Sequence, residues 1–328
     1  TKLAENTPKF SLDSFVSGWG ESNTDIGYKY NLSRKSLGLL GINYFNYSNP
    51  IDKNNDGFAD LTLQDRISIF NKFSLGNNFS FATRYVYEDR WGGELEWSPK
   101  YRGGDIFYGE SIYTSRFEIF GNYQFNNAVS FQFSFNDHNQ DSVYGSTFFN
   151  ADQTIGFAQM TWNKKIKKNE ILLGIAYRYT YYDDDTTATY NENENRNSKS
   201  IIQLPGIFIQ NQTKINENNI LLSGLRFDYN SLHGSIITPR LNYKSNNIDK
   251  TSTLRISAGT GYRIAQIFTE DHASLTGARE IVFLESLDPE KSWNINLNYI
   301  KKFYLKQGAI IDFDLSLFNT HFSNKIIP

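Results

Sequence analysis

The sequence predicts an all-β protein, an antiparallel transmembrane β-barrel. Three observations carry this prediction: an aromatic yet polar composition, segments of alternating apolar and polar residues, and an alternation of tight and long connections. Aromatic residues make up 16% of the 328 residues while charged residues make up 21%, and the mean hydropathy is −0.52. Such a chain must separate its apolar residues from its polar ones over short distances. A β-strand does so, because successive side chains point to opposite faces.

The clearest alternating segment lies between residues 129 and 136. Its odd positions are apolar and its even positions polar, with Val129, Phe131, Phe133 and Phe135 alternating with Ser130, Gln132, Ser134 and Asn136. Segments 79–88, 293–299 and 311–317 repeat this pattern, which is that of a strand with one apolar face. Because a soluble sandwich alternates in the same way, the connections must decide whether the strands cross a membrane.

The connections favour a membrane barrel. The tight ones are 33–36, 76–78, 126–128, 167–169, 216–219 and 246–250, and between them lie long ones at 48–60, 88–110, 183–198 and 263–291. Short turns at one end and long loops at the external end are typical of outer-membrane barrels. Segment 111–125 is also longer than most strands of soluble domains and suits a tilted strand that crosses a bilayer. The pattern predicts about fifteen strands.

Several classes of protein are excluded or disfavoured. No run of eighteen apolar residues could form a spanning helix. The chain has no cysteine, so it has neither disulfides nor thiolate metal sites. A net charge of −2 without a basic block predicts no nucleic-acid partner. The four histidines are scattered and no Ser-His-Asp arrangement is visible, so we expect no enzyme.

Two features complicate the barrel. Pro205 and Pro239 fall inside predicted strands, where each removes a ladder hydrogen bond, so we expect both at bulges or near strand ends. A closed barrel also pairs its last strand with its first, and residues 325–328 do not have the pattern of a terminal strand. We therefore expect residues 1–328 to form a partial transmembrane barrel domain.

Several motifs occur along the chain: NYFNY at 43–47, LQDRIS at 63–68, RYVYEDRWGG at 84–93, YGESIY at 108–113, GTGYRIA at 259–265, IFTEDH at 267–272, LTGARE at 275–280 and PEKSWN at 289–294. These motifs resemble those of TonB-dependent outer-membrane receptors, in particular the Bacteroidota type. The resemblance implies a barrel of about 22 strands around a plug, located in the bacterial outer membrane. This chain would supply about fifteen of those strands and would lack the plug.

The resemblance also implies a function and partners. Such receptors bind a scarce nutrient chelate, here a ferric siderophore or a cobalamin-type chelate, and import it with energy from TonB, which would act through the absent plug. The partners would then be outer-membrane lipid, TonB and a small-molecule metal chelate. One alternative is a receptor-like barrel that serves as a structural subunit of an outer-membrane assembly, with lipoproteins or other complex members as partners. A passive porin or a barrel enzyme is a further alternative.

The loop at 52–60 predicts calcium as the cofactor. Oxygen ligands at positions one, three, five, seven and nine match the first part of a calcium loop: Asp52, Asn54, Asp56, the Phe58 carbonyl and Asp60. The sixth position is the expected glycine, but the twelfth is Leu63 instead of a bidentate glutamate. An Asx-rich polar turn without metal is the alternative.

The ligand-binding residues are predicted in two long loops. They are Arg90, Trp91, Trp97, Tyr101 and Arg102 in one loop, and His272, beside Glu270 and Asp271, in the other. Arginine offers fixed donors and tryptophan a rigid apolar face, which together suit a planar or anionic chelate. The alternative is that the aromatic residues fold their loop over the barrel mouth. Arg116, Glu118 and Arg178 are assigned to salt bridges that hold the plug.

Overall fold

The computed structural model describes residues 7–33, 36–186, 189–191, 195–264 and 288–326. One antiparallel sheet of fifteen strands in chain order dominates it, which confirms the predicted fold class and strand number. The strands are β1 (Phe10–Val16), β2 (Ser22–Ser33), β3 (Ser36–Tyr47), β4 (Leu63–Leu75), β5 (Phe79–Gly93), β6 (Gly109–Gln124), β7 (Val129–Tyr144), β8 (Thr147–Ile166), β9 (Asn169–Asp184), β12 (Ser200–Lys214), β13 (Asn219–Asn230), β14 (Gly234–Asn246), β15 (Ser252–Arg263), β16 (Glu290–Tyr304) and β17 (Ile310–Asn324). A two-residue hairpin, β10 (Tyr190–Asn191) and β11 (Arg196–Asn197), lies between β9 and β12.

The strand register puts apolar residues on one face of the sheet. Residues that pair directly across antiparallel strands share a face. One row crosses nine strands without a polar member: Leu75, Phe79, Tyr123, Phe131, Met160, Ile175, Ile207, Phe227 and Ile237. We call this side the apolar face, and many of its large side chains are exposed. The opposite side is the polar face.

Aromatic rings pack against each other on the apolar face. The Phe133 ring lies 5.8 Å from the Phe131 ring and 6.3 Å from the Phe81 ring, centre to centre. It also lies across Gly121, where an added Cβ would meet the Phe133 ring and the Ser80 carbonyl. A side chain at 121 would therefore push the Phe133 ring away.

The two ends of the sheet differ in their connections. At one end, the turn end, lie the connections around residues 76–78, 125–128, 167–168, 215–218 and 247–251. At the other end, the loop end, lie the connections at 48–62 and 94–108; β9 and β15 also end there, and β12 and β16 begin there. The predicted grouping of tight and long connections is thus present. The alternation has exceptions, because the loop-end connections 17–21, 145–146 and 231–233 are also short.

Asparagine side chains shape several short connections. Asn126 Oδ1 accepts hydrogen bonds from the backbone N–H groups of Ala128 and Val129. Asn216 accepts the same pair of backbone hydrogen bonds in the turn at 215–218, and Asn230 accepts them in the loop-end connection at 231–233. A side-chain oxygen that replaces a backbone acceptor lets the chain reverse within a few residues.

The two prolines lie in mid-strand, without the bulges that the sequence suggested. Pro205 pairs with Tyr177 of β9, and Pro239 pairs with Leu225 of β13, both in unbroken register. On the other side of each strand, pairing begins one residue later, at Gly206 and Arg240. A proline has no N–H to donate, so it sits where one of the two ladders ends.

β1 and β17 are the edges of the described sheet, which is open between them. Both strands are exposed along their whole length. Two short 3-10 helices, Pro99–Tyr101 and Lys306–Gly308, occupy connections. Within the described ranges, no helix has the length and apolarity needed to cross a membrane.

Candidate functional site

Arginines are spread over the polar face. They project from β4, β5, β6, β9, β13, β14 and β15, as Arg66, Arg84, Arg116, Arg178, Arg226, Arg240 and Arg255. The register puts all of them opposite the apolar face. Two carboxylates among them, Glu118 and Asp228, are each paired with an arginine. The polar face therefore has more cationic than anionic groups in its central part.

Glu118 connects three strands of the polar face. Its two oxygens accept hydrogen bonds from Arg84 Nε at 2.6 Å and Nη2 at 2.8 Å. Arg116 Nη1 lies 3.7 Å from Glu118 Oε1, and Asn136 Nδ2 donates to the same oxygen at 3.2 Å. Arg116 and Glu118 thus lie within ion-pair distance, with Arg84 as the main partner of Glu118, whereas Arg178 is not part of this group. A role of these residues in holding a plug stays a prediction.

A second ion pair is buried in a recess of the polar face. Arg226 Nε and Nη2 donate to the two oxygens of Asp228 at 2.7 and 2.6 Å. The Asp228 side chain is 1% exposed and that of Arg226 is 35% exposed. An added Cβ at Gly206 would overlap Asp228 Oδ1, so glycine makes the space that the carboxylate fills. The Arg226 guanidinium also lies 5.5 Å from the centre of the Phe208 ring.

Other arginines of the polar face have no carboxylate partner. Arg240 Nη2 donates to Gln210 Oε1 at 2.9 Å, and Arg255 Nη1 donates to Asn298 Oδ1 at 3.4 Å. Within the described ranges, Arg178 makes no hydrogen bond or ion pair. These three guanidinium groups could bind an anion without losing an existing ion pair, which distinguishes them from Arg84 and Arg226.

Two loops pack together at the loop end. The loop at 48–62 donates from Ala59 N–H to the Gly93 carbonyl at 2.9 Å, and Leu95 N–H of the loop at 94–108 donates to the Gly57 carbonyl at 2.9 Å. Phe58 pairs with Glu94 as an isolated bridge, and its ring lies 6.4 Å from that of Tyr108. These contacts hold the two loops in one arrangement.

The loop at 94–108 lies on the apolar-face side of the strands, beyond the apolar residues. On β7, that face carries Asp137, Asn139 and Asp141 after Phe135. Arg102 donates from Nη2 to Asp141 Oδ1 at 2.7 Å and from Nε to Ser111 Oγ at 3.2 Å. The loop therefore packs on the side of the sheet opposite the polar face.

The predicted ligand residues separate into groups. Trp91 and Trp97 line one cavity of about 300 Å³ between the two loops. Arg102 is 17% exposed and engaged by Asp141, with its guanidinium 4.8 Å from the centre of the Tyr113 ring. Arg102 therefore anchors the loop at 94–108 to the sheet.

Two of the remaining predicted ligand residues, Arg90 and Tyr101, lie outside the cavity lining. Arg90 lies on the polar-face side of β5, 3.7 Å from Glu88 Oε1. The Tyr101 ring packs edge-on against that of Phe107 at 4.9 Å. His272 lies outside the described residues. Ligand binding by all of these residues stays a prediction.

Tyr108 links the two ends of its loop. Its phenol donates to Glu110 Oε1 at 2.9 Å, and its N–H donates to Glu94 Oε1 at 3.0 Å. Burial, followed by the hydrogen bond to the Glu110 carboxylate, raises the pKa of the Tyr108 phenol to about 12. The phenol therefore remains protonated and keeps donating this hydrogen bond at neutral pH.

The oxygens of the predicted calcium loop accept hydrogen bonds from the loop itself. Asp52 accepts from the N–H groups of Asn55 at 2.7 Å and Gly57 at 2.9 Å. Asp56 accepts from Phe58 N–H at 2.9 Å, and Asp60 accepts from Lys53 N–H at 2.9 Å. Neither this loop nor any other described part of the chain brings three acidic or histidine side chains close enough together to hold a metal ion. Calcium stays a prediction.

Calcium titration tests this prediction. Each carboxylate oxygen keeps one lone pair, so millimolar calcium is expected to bind at 52–60 and to restrict the loop. Asp56→Ala is expected to abolish the binding heat in calorimetry without changing the unfolding midpoint. Asp249→Ala, in a turn-end connection, is the matched control. Equal heats for the natural chain and Asp56→Ala would favour the metal-free Asx turn.

The unpaired arginines were only partly visible in the sequence. Of the three arginines without a carboxylate partner, Arg178 was assigned to the lumen from alternation, but Arg240 and Arg255 were not singled out. The signal that could have found them is again alternation, because Arg240 precedes Leu241 and Tyr243 of one apolar set and Arg255 lies between Leu254 and Ile256 of another.

Known structures share this fold at low sequence identity. The ferric enterobactin receptor of Pseudomonas aeruginosa is 13% identical with a TM-score of 0.66, and the match covers 96% of this chain and 52% of that one. The siderophore receptor PirA of Pseudomonas aeruginosa is 11% identical with a TM-score of 0.64, covering 96% and 55%. PirA of Acinetobacter baumannii is 13% identical with a TM-score of 0.63, covering 96% and 52%. Comparison with curated proteins finds no match.

The chain spans about half the length of these receptors. At such identities, the likeness shows a shared fold. The family comparison covers more of the sequence, since the model of the β-barrel of TonB dependent receptor-like proteins matches residues 5–328. The barrels of this family lie in the outer membrane. With nearly all of its length matched and its fifteen strands paired in chain order, the chain belongs to the TonB dependent receptor-like β-barrel family.

Proposed function

We propose that this chain forms most of the wall of a receptor that imports an anionic ferric chelate of the siderophore type. The observation that carries the proposal is the set of polar-face arginines without carboxylate partners, Arg178, Arg240 and Arg255. Guanidinium groups bind anionic oxygens through fixed, paired donors. Several of them on one face attract a multiply charged anion from a distance.

The orientation follows from the same proposal. The apolar face contacts membrane lipid, the polar face lines the lumen, and the loop end faces the exterior. Family membership and the likeness to ferric enterobactin and siderophore receptors support this arrangement. TonB supplies the energy through a plug domain, as it does for receptors of this family. The family and the matched structures are transport receptors, which supports a role without enzymatic activity.

An uptake experiment with the full-length receptor tests the proposal. Arg178→Gln and Arg240→Gln are each expected to weaken binding of a ferric chelate about tenfold or more, because each removes a charge-assisted hydrogen bond. Binding is measured calorimetrically with a ferric catecholate, and uptake with radioactive iron. Lys164→Gln on the opposite face near the turn end is the charge-matched control and is expected to change neither quantity.

Parallel arms distinguish the competing functions. A cobalamin-type ligand is titrated under the same conditions, and the membrane complex is isolated without ligand. Binding of cobalamin that is insensitive to both arginine variants would contradict the anionic substrate. A receptor that binds neither ligand but remains in a stoichiometric outer-membrane complex would favour the structural subunit instead.

A further inference from the structure

The cavity at the loop end is lined by groups that the proposed import function leaves unused. It has a volume of about 300 Å³ and lies between the loops at 48–62 and 94–108 and the ends of β5 and β6. Its aromatic lining is Trp91, Trp97 and Tyr113. It lies on the apolar-face side of the strands, opposite the polar-face arginines.

The side chains that line this cavity include two carboxylates, Asp89 and Glu94, and no lysine, arginine or histidine. Arg102 lies just behind the lining, where its Nε donates to Ser111 Oγ, and its charge is balanced by the ion pair with Asp141. Glu94 is held by the N–H of Tyr108 at 3.0 Å. Asp89 makes no hydrogen bond and no ion pair with any residue that the structure describes. A half-buried carboxylate without a partner is expected to attract a cation.

The walls of the cavity are held in place. The Trp97 ring covers Gly109, where an added Cβ would overlap the indole. Trp97 N–H donates to the Glu94 carbonyl at 3.0 Å, and Glu94 N–H donates to the Tyr108 carbonyl at 2.9 Å. A cavity whose walls are ordered before binding loses little conformational entropy when a ligand enters.

We propose that this cavity binds an alkylammonium group, with Asp89 as the counter-ion and Trp91 and Trp97 as the aromatic walls. A cation beside tryptophan rings is attracted by their π-electrons, and the alkyl part replaces water on the apolar lining. A volume of about 300 Å³ admits a short alkyl chain but not a whole siderophore. Because the cavity lies at the loop end on the side of the apolar face, which the proposed orientation puts against lipid, we assign the group to an amine-bearing lipid headgroup.

Titration of the full-length receptor in detergent with n-butylammonium chloride tests the site. Quenching of tryptophan fluorescence is expected to saturate below about 10 mM. n-Butanol is the neutral probe of similar shape and n-butyrate the anionic one, and both are expected to bind at least about tenfold more weakly. Equal response to butanol and butylammonium, or no saturation, would overturn the proposal.

Two variants locate the bound cation. Asp89→Asn keeps the shape of the side chain and is expected to weaken butylammonium binding about tenfold or more. Asp65→Asn is the matched control, because Asp65 pairs with Asp89 across the strands on the same face but does not line the cavity. Trp97→Leu is expected to weaken binding about threefold or more, read by ligand NMR. Equal losses in Asp65→Asn and Asp89→Asn would contradict a specific counter-ion.

Competition identifies the source of the group. Nα-acetyl-lysine methylamide represents a protein side chain, and phosphoethanolamine represents a lipid headgroup. Phosphoethanolamine is expected to displace butylammonium, whereas displacement by Nα-acetyl-lysine methylamide alone would overturn the lipid assignment in favour of a protein partner. If neither competitor displaces butylammonium, the proposal is overturned, because the cavity would then exclude larger molecules that carry an alkylammonium group. Ferric chelate uptake in Asp89→Asn separates this site from the proposed import function and is expected to be unchanged.

Discussion

Phe133→Arg is expected to lower the free energy of unfolding in lipid by about 2 to 4 kcal/mol. Phe133 lies on the apolar face, within the band of rings that includes Phe131 and Phe81. If this face contacts hydrocarbon, a guanidinium at the same position loses its hydration without gaining a partner. Reversible unfolding by denaturant in lipid vesicles measures the difference.

Two control variants isolate the charge from the packing. Ser134→Arg places the same side chain on the polar face one residue further along β7, and it is expected to change stability little. Phe133→Ala removes the ring contacts alone, so the arginine variant is expected to be the less stable of the two. Similar losses for Phe133→Arg and Ser134→Arg would contradict the assignment of the apolar face to lipid.

Arg226→Ala is expected to destabilise the protein by about 3 to 5 kcal/mol, more than Asp228→Ala does. Asp228 is the more deeply buried partner, with 1% of its side chain exposed against 35% for Arg226. Removing the arginine leaves a buried carboxylate without a partner, whereas removing the aspartate leaves a guanidinium that water can reach. The measurement is the same unfolding experiment in lipid.

The decisive result is which of the two variants, Arg226→Ala or Asp228→Ala, loses more stability. Arg240→Ala, next to the pair on the polar face, is the control, because its contact with Gln210 is neutral and exposed. It is expected to cost less than about 1 kcal/mol. If Asp228→Ala is less stable than Arg226→Ala, the cost of leaving the Asp228 carboxylate buried without a partner is not the larger of the two effects, and the prediction is wrong.

Some features of the chain follow from local pattern alone. Alternation at 129–136 assigned Phe131, Phe133 and Phe135 to one face, because side chains of a strand point to alternate sides whatever its neighbours are. The turns at 76–78 and 126–128 were predicted equally well. Gly76 adopts a positive φ and Asn126 accepts a backbone hydrogen bond with its side chain, and both properties favour a chain reversal. The number of strands, about fifteen, needed nothing further.

The loop residues show where local pattern fails. Arg90, Trp91, Trp97 and Arg102 are close in sequence and were assigned to one ligand site. In the structure, Arg90 and Trp91 point to opposite sides of β5, and Arg102 reaches Asp141 of β7. A long connection can fold to either side of the sheet, and its own sequence does not specify which.

The sequence by itself determined the fold class, the approximate number of strands and the two faces of the clearly alternating strands, because these depend on contacts within a strand or across one turn. Only the tertiary structure decided the register that aligns nine apolar residues from Leu75 to Ile237, the ladder ends at Pro205 and Pro239, and the recess at Gly206 that buries Asp228. Each of these depends on side chains that are distant in sequence and meet only when neighbouring strands pair.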